Sequence, residues 1–363
     1  MGYRASRGQE RAEDSGMTTP DIVPTADAIA PDGPPPLLVL DRVEAFLDDH
    51  GLGRGPLQVQ RIGEGQSNVT FLITRGTERF VLRRGPRPPL PPSTHDMMRE
   101  SRLLQALAKT DVPVPEVLAV CPDTELLGVP FYVMAYLDGT VITDTLPAYL
   151  DNETDRRRIS ERLVDTLVSI HAVDYVAAGL GTFGRPDGYL RRQVARFAQL
   201  WEYNTKRDIP EVAKLADWLE RNLPDSGPPA LVHGDFRLGN LIYEPSSPAR
   251  VQAVVDWEMA TIGDPLADLG YLVATYAEEG YPSSPLELSP VTRGPGFLTR
   301  KELIARYAER SGRSVDGLGW YQALALWKAA VFCEAIYTRW LNGERPDDTT
   351  FAPTLEAGVP RLL

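Results

Sequence analysis

The sequence predicts an α+β protein made of a small antiparallel β-sheet region followed by a larger, mainly helical one. Three observations carry this. Apolar and β-branched runs at 57–62, 69–74 and 79–83 are joined by a glycine-bearing stretch, 63–68, and a turn at Gly76. From about residue 143 onward the apolar residues recur mostly at helical spacing. Between two helical blocks lies a polar, glycine-punctuated stretch, His233-Gly234-Asp235-Phe236-Arg237-Leu238-Gly239-Asn240, with Asp256 a short strand later. A chain of 363 residues is long enough to hold two cores.

The elements follow in order. Residues 1–36 are rich in Pro, Ala, Asp and Gly without sustained periodicity, the composition of a disordered tail, and Met17 offers a later translational start. Residues 37–52 form an amphipathic helix with Leu40, Val43, Phe46 and Leu47 on one face. The three strands come next. In the third, Val81 and Arg83 share a face, so one can touch a base while the other reaches phosphates. Prolines from Pro86 to Pro92 break the chain before a helix over 94–109 that carries Glu100. Strands at 116–121 and 131–136 complete the sheet, and Met134-Ala135-Tyr136-Leu137-Asp138-Gly139 leaves it as a connector. Helices are expected through Ile159–His171 and over 189–206, 210–222, 264–279, 300–311 and 317–342, with aromatic-rich cores that include Trp320, Trp327 and Tyr337. The expected division is a tail over 1–36, a small lobe over 37–136 and a large lobe over 137–363.

Composition excludes several classes. With 43% hydrophobic and 24% charged residues the chain is that of a soluble globular protein, and it has no apolar run of membrane-span length and no secretory signal. Cys121 and Cys333 alone make neither a disulfide framework nor a Cys-rich zinc site, which fits a reducing cytoplasm. A net charge of −12 argues against nonspecific nucleic-acid binding, although a cleft can be locally basic in an acidic protein.

The motif points to phosphoryl transfer. Asp235, Asn240 five positions on, and Asp256 after the apolar Ala253-Val254-Val255 supply a carboxylate to orient and deprotonate a hydroxyl, and an amide oxygen plus a second carboxylate to hold Mg²⁺ on a nucleotide. A β-hairpin with polar residues at its turn is the bland alternative. The loop of Gly63, Gly65, Ser67 and Asn68 can aim backbone N–H groups at phosphate oxygens, although alone it also reads as an ordinary hairpin loop. Arg83 stands where kinases carry lysine, and its guanidinium forks and keeps its proton. Glu100 is its natural ionic partner, with a surface glutamate as the alternative. Main-chain groups of the connector from Met134 to Tyr136 suit an adenine. Arg237 has a transition-state charge to meet, or is a surface arginine. His233 can be a general base, or a prop for the loop, the role the motif favours. Asp268 is better placed to brace that loop than to touch substrate. His50, His95 and His171 have no metal-ligand spacing, and His171 falls on an apolar helix face.

Together these stretches resemble the aminoglycoside/choline-kinase-like phosphotransferase family, a relative of the protein kinases, across residues 57–340. The likeness is closer to the branch fused to acyl-CoA dehydrogenases and also found as stand-alone bacterial proteins. It rests on the 63–68 loop, Val81-Leu82-Arg83-Arg84-Gly85-Pro86, the 233–240 motif and the stretch from Val255 to Pro265, Asp264-Pro265 included. The resemblance implies a protein-kinase-like bilobal fold with ATP·Mg in a cleft. It also implies that Asp235 is the catalytic aspartate, Asn240 and Asp256 are the metal ligands, and Arg83 is the nucleotide-phosphate cation.

The acceptor is a small molecule with a hydroxyl group. Asp151, Glu153, Asp155, Glu202, Asp208, Glu278 and Glu279 can clasp the ammonium groups of an aminoglycoside, or simply be solvated helix faces. Arg192 and Arg196, four apart and so on one helical face, instead suit an anionic acceptor. Their segment also resembles the dehydrogenase-associated branch, which favours a hydroxyacyl-CoA or related metabolite. An antibiotic kinase, a nucleotide-binding pseudokinase scaffold, and the choice between ATP and GTP stay open at this point.

Overall fold

The computed structural model describes residues 21–30, 33–63, 68–88, 95–344 and 348–363. The chain divides into two compact units, residues 1–109 with 113–138, and residues 110–112 with 139–363.

In the first unit, β1 (Ile22–Val23) pairs in parallel with β2 (Leu38–Val39), which leads into α1 (Leu40–Asp49). The tail expected over 1–36 is therefore structured in part. Val23 is buried in the core, and Asp21 forms ion pairs with Arg61 and Arg87. A two-residue strand has no period to reveal it, and its pairing partner lies beyond a proline-rich stretch.

The main sheet of this unit is antiparallel, with β3 (Leu57–Ile62), β4 (Val69–Arg75), β5 (Glu78–Arg84), β6 (Val117–Cys121) and β7 (Phe131–Ala135) in the order β3-β4-β5-β7-β6. Strand β4 alternates strictly, burying Val69, Phe71, Ile73 and Arg75 with half-buried residues between them. That period of two puts Phe71 and Ile73 on the same face as Phe80 and Leu82 of β5 and Phe131 and Val133 of β7. Helix α1 closes this layer with Val43, Phe46 and Leu47, and the Phe46 and Phe131 rings meet edge to face at 4.9 Å. Helix α2 (Met97–Leu107) starts at Asp96, whose side chain accepts the Arg99 N–H.

The second unit begins with β8 (Thr140–Val141) and is then largely helical: α3 (Glu153–His171), α4 (Tyr189–Asn204) and α5 (Pro210–Arg221). Four short strands follow, β9 (Ala230–Val232), β10 (Leu241–Tyr243), β11 (Val251–Val254) and β12 (Thr261–Gly263). They form two small sheets, β11-β10-β8 and β12-β9. Helices α6 (Leu266–Thr275), α7 (Arg300–Ser311), α8 (Leu318–Leu341) and α9 (Leu355–Gly358) complete it. Helix α7 opens with a full capping box between Thr299 and Glu302.

Helix α8 is the central pillar. Trp327 is fully buried, and its Nε1 donates to Val212 O at 3.1 Å, while Trp320 Nε1 donates to Leu219 O at 3.1 Å, so both indoles lock α8 to α5. Emptying a position such as Trp327 to alanine costs about 3–5 kcal/mol. Helix α6 lies close against α8 because of Gly270, where an added Cβ would sit 2.6 Å from Tyr321 Cβ. Among the described residues no helix is long and apolar enough to cross a membrane.

Candidate active site

The motif loop joins β9 to β10. Gly234 turns it with φ +88°, and a Cβ there would lie 2.7 Å from Met259 O, so only glycine fits both the dihedral and the space. Asp268 on α6 then fixes the loop from below. Its carboxylate accepts the His233 N–H at 2.7 Å and the Gly234 N–H at 2.8 Å, and His171 Nε2 reaches it at 3.2 Å. Burial alone would raise the Asp268 pKa, but the hydrogen bonds and nearby histidines hold its carboxyl below the ordinary value. His171 is in the core, as its helix face implies, yet it is also a relay. Its Nδ1 meets the Tyr307 hydroxyl at 2.7 Å.

His233 is a prop. The ring is fully buried against Trp257, with centroids 4.6 Å apart. Its Nε2 donates to Val255 O at 3.1 Å, and its Nδ1 accepts the Asp235 N–H at 3.3 Å, so both nitrogens are occupied in holding backbone.

Asp235 emerges half-buried at the end of this bracing. Asn240 Nδ2 donates to its Oδ2 at 3.0 Å and to its backbone O at 2.7 Å, and Arg237 Nε stands 3.5 Å from the same Oδ2. Tyr271 of α6 is electrostatically coupled to this carboxylate. Burial first, and then the charge of Asp235, push the Tyr271 pKa well up. With its NH₂ group turned to Asp235, Asn240 presents its amide oxygen away from that bond.

Strand register brings Asn240 to Asp256. Leu241 pairs with Val254 across β10 and β11, and the Val255 N–H donates to Asn240 O at 2.9 Å. The two predicted ligands, 16 positions apart in the chain, thus leave the ends of neighbouring strands. Asp256 itself is left-handed, with φ 68° and ψ 56°, an unusual conformation for a residue other than glycine. Among the described residues there is no group of three or more His, Cys, Asp or Glu side chains that would enclose a metal by itself. One amide oxygen and one or two carboxylates fit instead an ion that takes its remaining ligands from phosphates and water, as Mg²⁺ does.

In the first unit, Arg83 Nε donates to Glu100 Oε2 at 3.0 Å, with both side chains largely buried. Asn68, expected at the phosphates, is buried and bonded through its Oδ1 to His95 Nδ1 at 2.9 Å. His95 has a φ of 56°, and burial followed by the charge of Arg83 lowers its pKa. Gly63 is left-handed, with φ 75°. Gly65 and Ser67 lie outside the described residues. Met134 pairs with Val81 in the sheet, and Tyr136 follows the end of β7 with Arg79 stacked on its ring at 4.2 Å. A surface hollow between α1 and the β4–β5 turn lies away from these residues, and its buried cation, Arg75, is already bonded to Asp48 and Gly55 O.

Three residues have contacts that the sequence did not reveal: Tyr271 beside Asp235, His95 as the partner of Asn68, and Lys328 over the Phe197 ring at 4.7 Å. None stands at a motif spacing from Asp235 or Arg83. Only the period of helix α6, which places Tyr271 three positions after Asp268, contains a signal for any of them.

The sheet-plus-helices architecture and this loop define a protein-kinase-like α+β fold. The Phosphotransferase enzyme family profile matches residues 58–309, and the chain belongs to that family. Acyl-CoA dehydrogenase family member 11 of Rattus norvegicus is 35% identical over 324 residues, covering 85% of this chain and 40% of its own length. The corresponding protein of Gallus gallus is 37% identical over 301 residues, covering 80% of this chain and 38% of its own. The chain thus spans about 40% of the length of the curated relatives it matches. A solved structure of a putative aminoglycoside phosphotransferase from Ralstonia eutropha JMP134 superposes with a TM-score of 0.75 at 30% identity, covering 89% of this chain and 95% of that one. A ternary complex of the aminoglycoside phosphotransferase APH(4)-Ia with AMP-PNP and hygromycin B shares the fold, with a TM-score of 0.55 at 18% identity, covering 88% and 98% of the two chains. The class of protein is therefore a phosphotransferase-family member.

Proposed function

We propose that the chain transfers the γ-phosphate of ATP·Mg to a hydroxyl of a small anionic metabolite, a hydroxyacyl-CoA being the first candidate. The observation that carries this is the β10–β11 register, which sets Asn240 beside Asp256 and leaves Asp235 braced at the same loop. In this reading Asp235 orients the acceptor hydroxyl and takes its proton. Asn240 and Asp256 hold Mg²⁺, which would neutralise charge on the nucleotide phosphates. Arg83, held by Glu100, is the nucleotide-phosphate cation, and the 63–68 loop with the Met134–Tyr136 backbone receives the rest of the nucleotide. Arg237 screens the charge of the loop beside Asp235.

Two features support an anionic acceptor over a cationic one. Several of the acidic side chains that would clasp an aminoglycoside are taken by structural partners. Asp151 pairs with Arg156, Asp155 accepts from Ser247 and the Ala249 N–H, and Glu278 accepts the Arg300 N–H. The full-length relatives, moreover, are named as acyl-CoA dehydrogenases. The test is ³¹P-detected transfer from Mg-ATP to a panel of hydroxyacyl-CoA thioesters, free hydroxy acids and aminoglycosides. Turnover confined to the aminoglycosides would overturn the acceptor class, and a lack of Mg-ATP binding would overturn the reading as a whole.

A further inference from the structure

Gly239 lies outside the left-handed region that Gly63 and Gly234 occupy, so its backbone does not ask for glycine. Space does. An added Cβ would overlap Nη1 of Arg237, lie 3.4 Å from Cζ of that guanidinium and 3.3 Å from Thr143 Cγ2. The bare Cα of Gly239 is therefore a seat for the Arg237 guanidinium, which folds back over its own loop. Gly239 is buried, and the Arg237 side chain is only 20% exposed although it belongs to a loop.

The seat decides where the guanidinium points. Arg237 is extended, with φ −155° and ψ 164°, and its carbonyl accepts the Asn240 N–H at 3.0 Å, which closes a single turn over Leu238–Asn240. From that turn the side chain runs back, so that Nη1 lies on Gly239 while Nε stands 3.5 Å from Asp235 Oδ2. Asn240 Nδ2 donates to the same Oδ2 at 3.0 Å. Both contacts fall on one oxygen, and Oδ1 is the one that neither the amide nor this guanidinium engages. An ion pair of that length on a long, flexible side chain is a weak restraint by itself. Packing against Gly239 supplies what the pair lacks.

We propose that Gly239 is a positioning residue for phosphoryl transfer: it seats Arg237, and the seated guanidinium fixes the rotation of the Asp235 carboxylate so that Oδ1 faces the acceptor hydroxyl. The role rests on the phosphotransfer reading of this loop. Gly239 acts through Arg237, and Arg237 through Asp235. Orientation of this kind has kinetic weight, because a misplacement of about 1 Å at a reacting group can cost about 10²-fold in rate. The competing role for Gly239 is to shape the backbone of Asn240 beside it, and the two roles differ in what they predict. Acting through Asn240, a substitution at Gly239 would change Mg-nucleotide binding whatever side chain stood at 237. Acting through Arg237, it leaves nucleotide binding alone and has no effect once that side chain is gone.

The test compares Gly239→Ala, Arg237→Ala and the double variant, each in the full chain. One readout needs no acceptor: arginine modification by phenylglyoxal, followed residue by residue by mass spectrometry. Displaced from its seat toward solvent, Arg237 should react severalfold faster in Gly239→Ala than in wild type, while the exposed Arg191, paired with Glu220, reacts equally in both. The second readout is phosphate transfer from Mg-ATP to whichever hydroxyacyl-CoA, hydroxy acid or aminoglycoside the wild type turns over. Gly239→Ala should lower kcat about ten- to hundredfold with the KM for Mg-ATP unchanged, and should cost nothing further in Arg237→Ala. Wild-type labelling or wild-type kcat in Gly239→Ala, a raised KM for Mg-ATP, or losses that multiply in the double variant overturn the proposal. If Gly239→Ala fails to fold, a double variant that folds shows that the guanidinium was what the added methyl met, and one that does not overturns the seat. Faster labelling of Arg237 in Gly239→Ala, with no transfer by the wild type to any of these acceptors, removes the phosphotransfer reading and the kinetic role with it, and keeps the seat.

Discussion

Asp268 grips His233 by its backbone: Oδ2 accepts the His233 N–H at 2.7 Å, and the ring of that histidine is left to hold Val255 and Asp235. One buried carboxylate on α6 thus supports the loop that carries Asp235, and the histidine two positions before Asp235 has both ring nitrogens committed to holding backbone. The consequences can be measured.

Asp268→Ala removes an acceptor from two buried N–H groups and from His171, and is expected to destabilise the protein by about 3 kcal/mol at neutral pH. Because the folded-state pKa of Asp268 lies below the ordinary 3.8, its stabilising effect is complete above that value and is lost as pH falls through the folded pKa. Urea titrations at pH 7 and at progressively lower pH should therefore show the gap between wild type and variant closing below about pH 4. A gap that stays constant would mean that the carboxylate's charge contributes nothing.

Asp235→Asn keeps the side-chain shape and an acceptor for Asn240, but takes away the carboxylate proposed to orient and deprotonate the hydroxyl. Turnover should drop about 10²–10⁴-fold while the KM for ATP changes little. An unchanged kcat in steady-state assays would rule Asp235 out as the base.

Asp256→Ala should weaken nucleotide binding about tenfold or more with Mg²⁺ present and hardly at all in EDTA. Fluorescent-nucleotide titrations under both conditions make the comparison. Equal losses would reduce Asp256 to a turn residue.

Arg83→Met takes the Arg83 partner from the largely buried Glu100 and removes the proposed phosphate contact, so the KM for ATP should rise roughly ten- to hundredfold. Arg83→Lys restores the charge without the fork and should recover part of that loss. The complementary Glu100→Gln separates the effects, since it removes the carboxylate of this pair while Arg83 keeps its charge. If all three variants bind ATP as wild type does, the pair is structural.

The parts of the site that were legible in the sequence are those set by local spacing. Asp235, Asn240 and Asp256 sit on one loop and the hairpin after it, so strand alternation and a short count suffice to place them together. Glu100 was legible as the first suitably placed glutamate on the helix after β5. The acceptor side was not. Tyr271 is brought beside Asp235 by α6, whose packing on α8 depends on a glycine contact at Gly270 and not on any spacing. Arg192 shows the opposite failure. Helical periodicity put it with Arg196, but the carbonyls of Arg185 and Asp187, in the turn before the helix, claimed its guanidinium first.

The β10–β11 ladder has a thermodynamic meaning beyond geometry. Asn240 and Asp256 extend from paired strand ends, so whatever binds both of them can do so only while the hairpin stays zipped. Occupancy by a metal–nucleotide complex then acts as a clasp on residues 240–256, adding stability that grows with the logarithm of its concentration. The substrate complex would in this way be a folding ligand for the segment that recognises it, and its binding would slow amide exchange across β10 and β11.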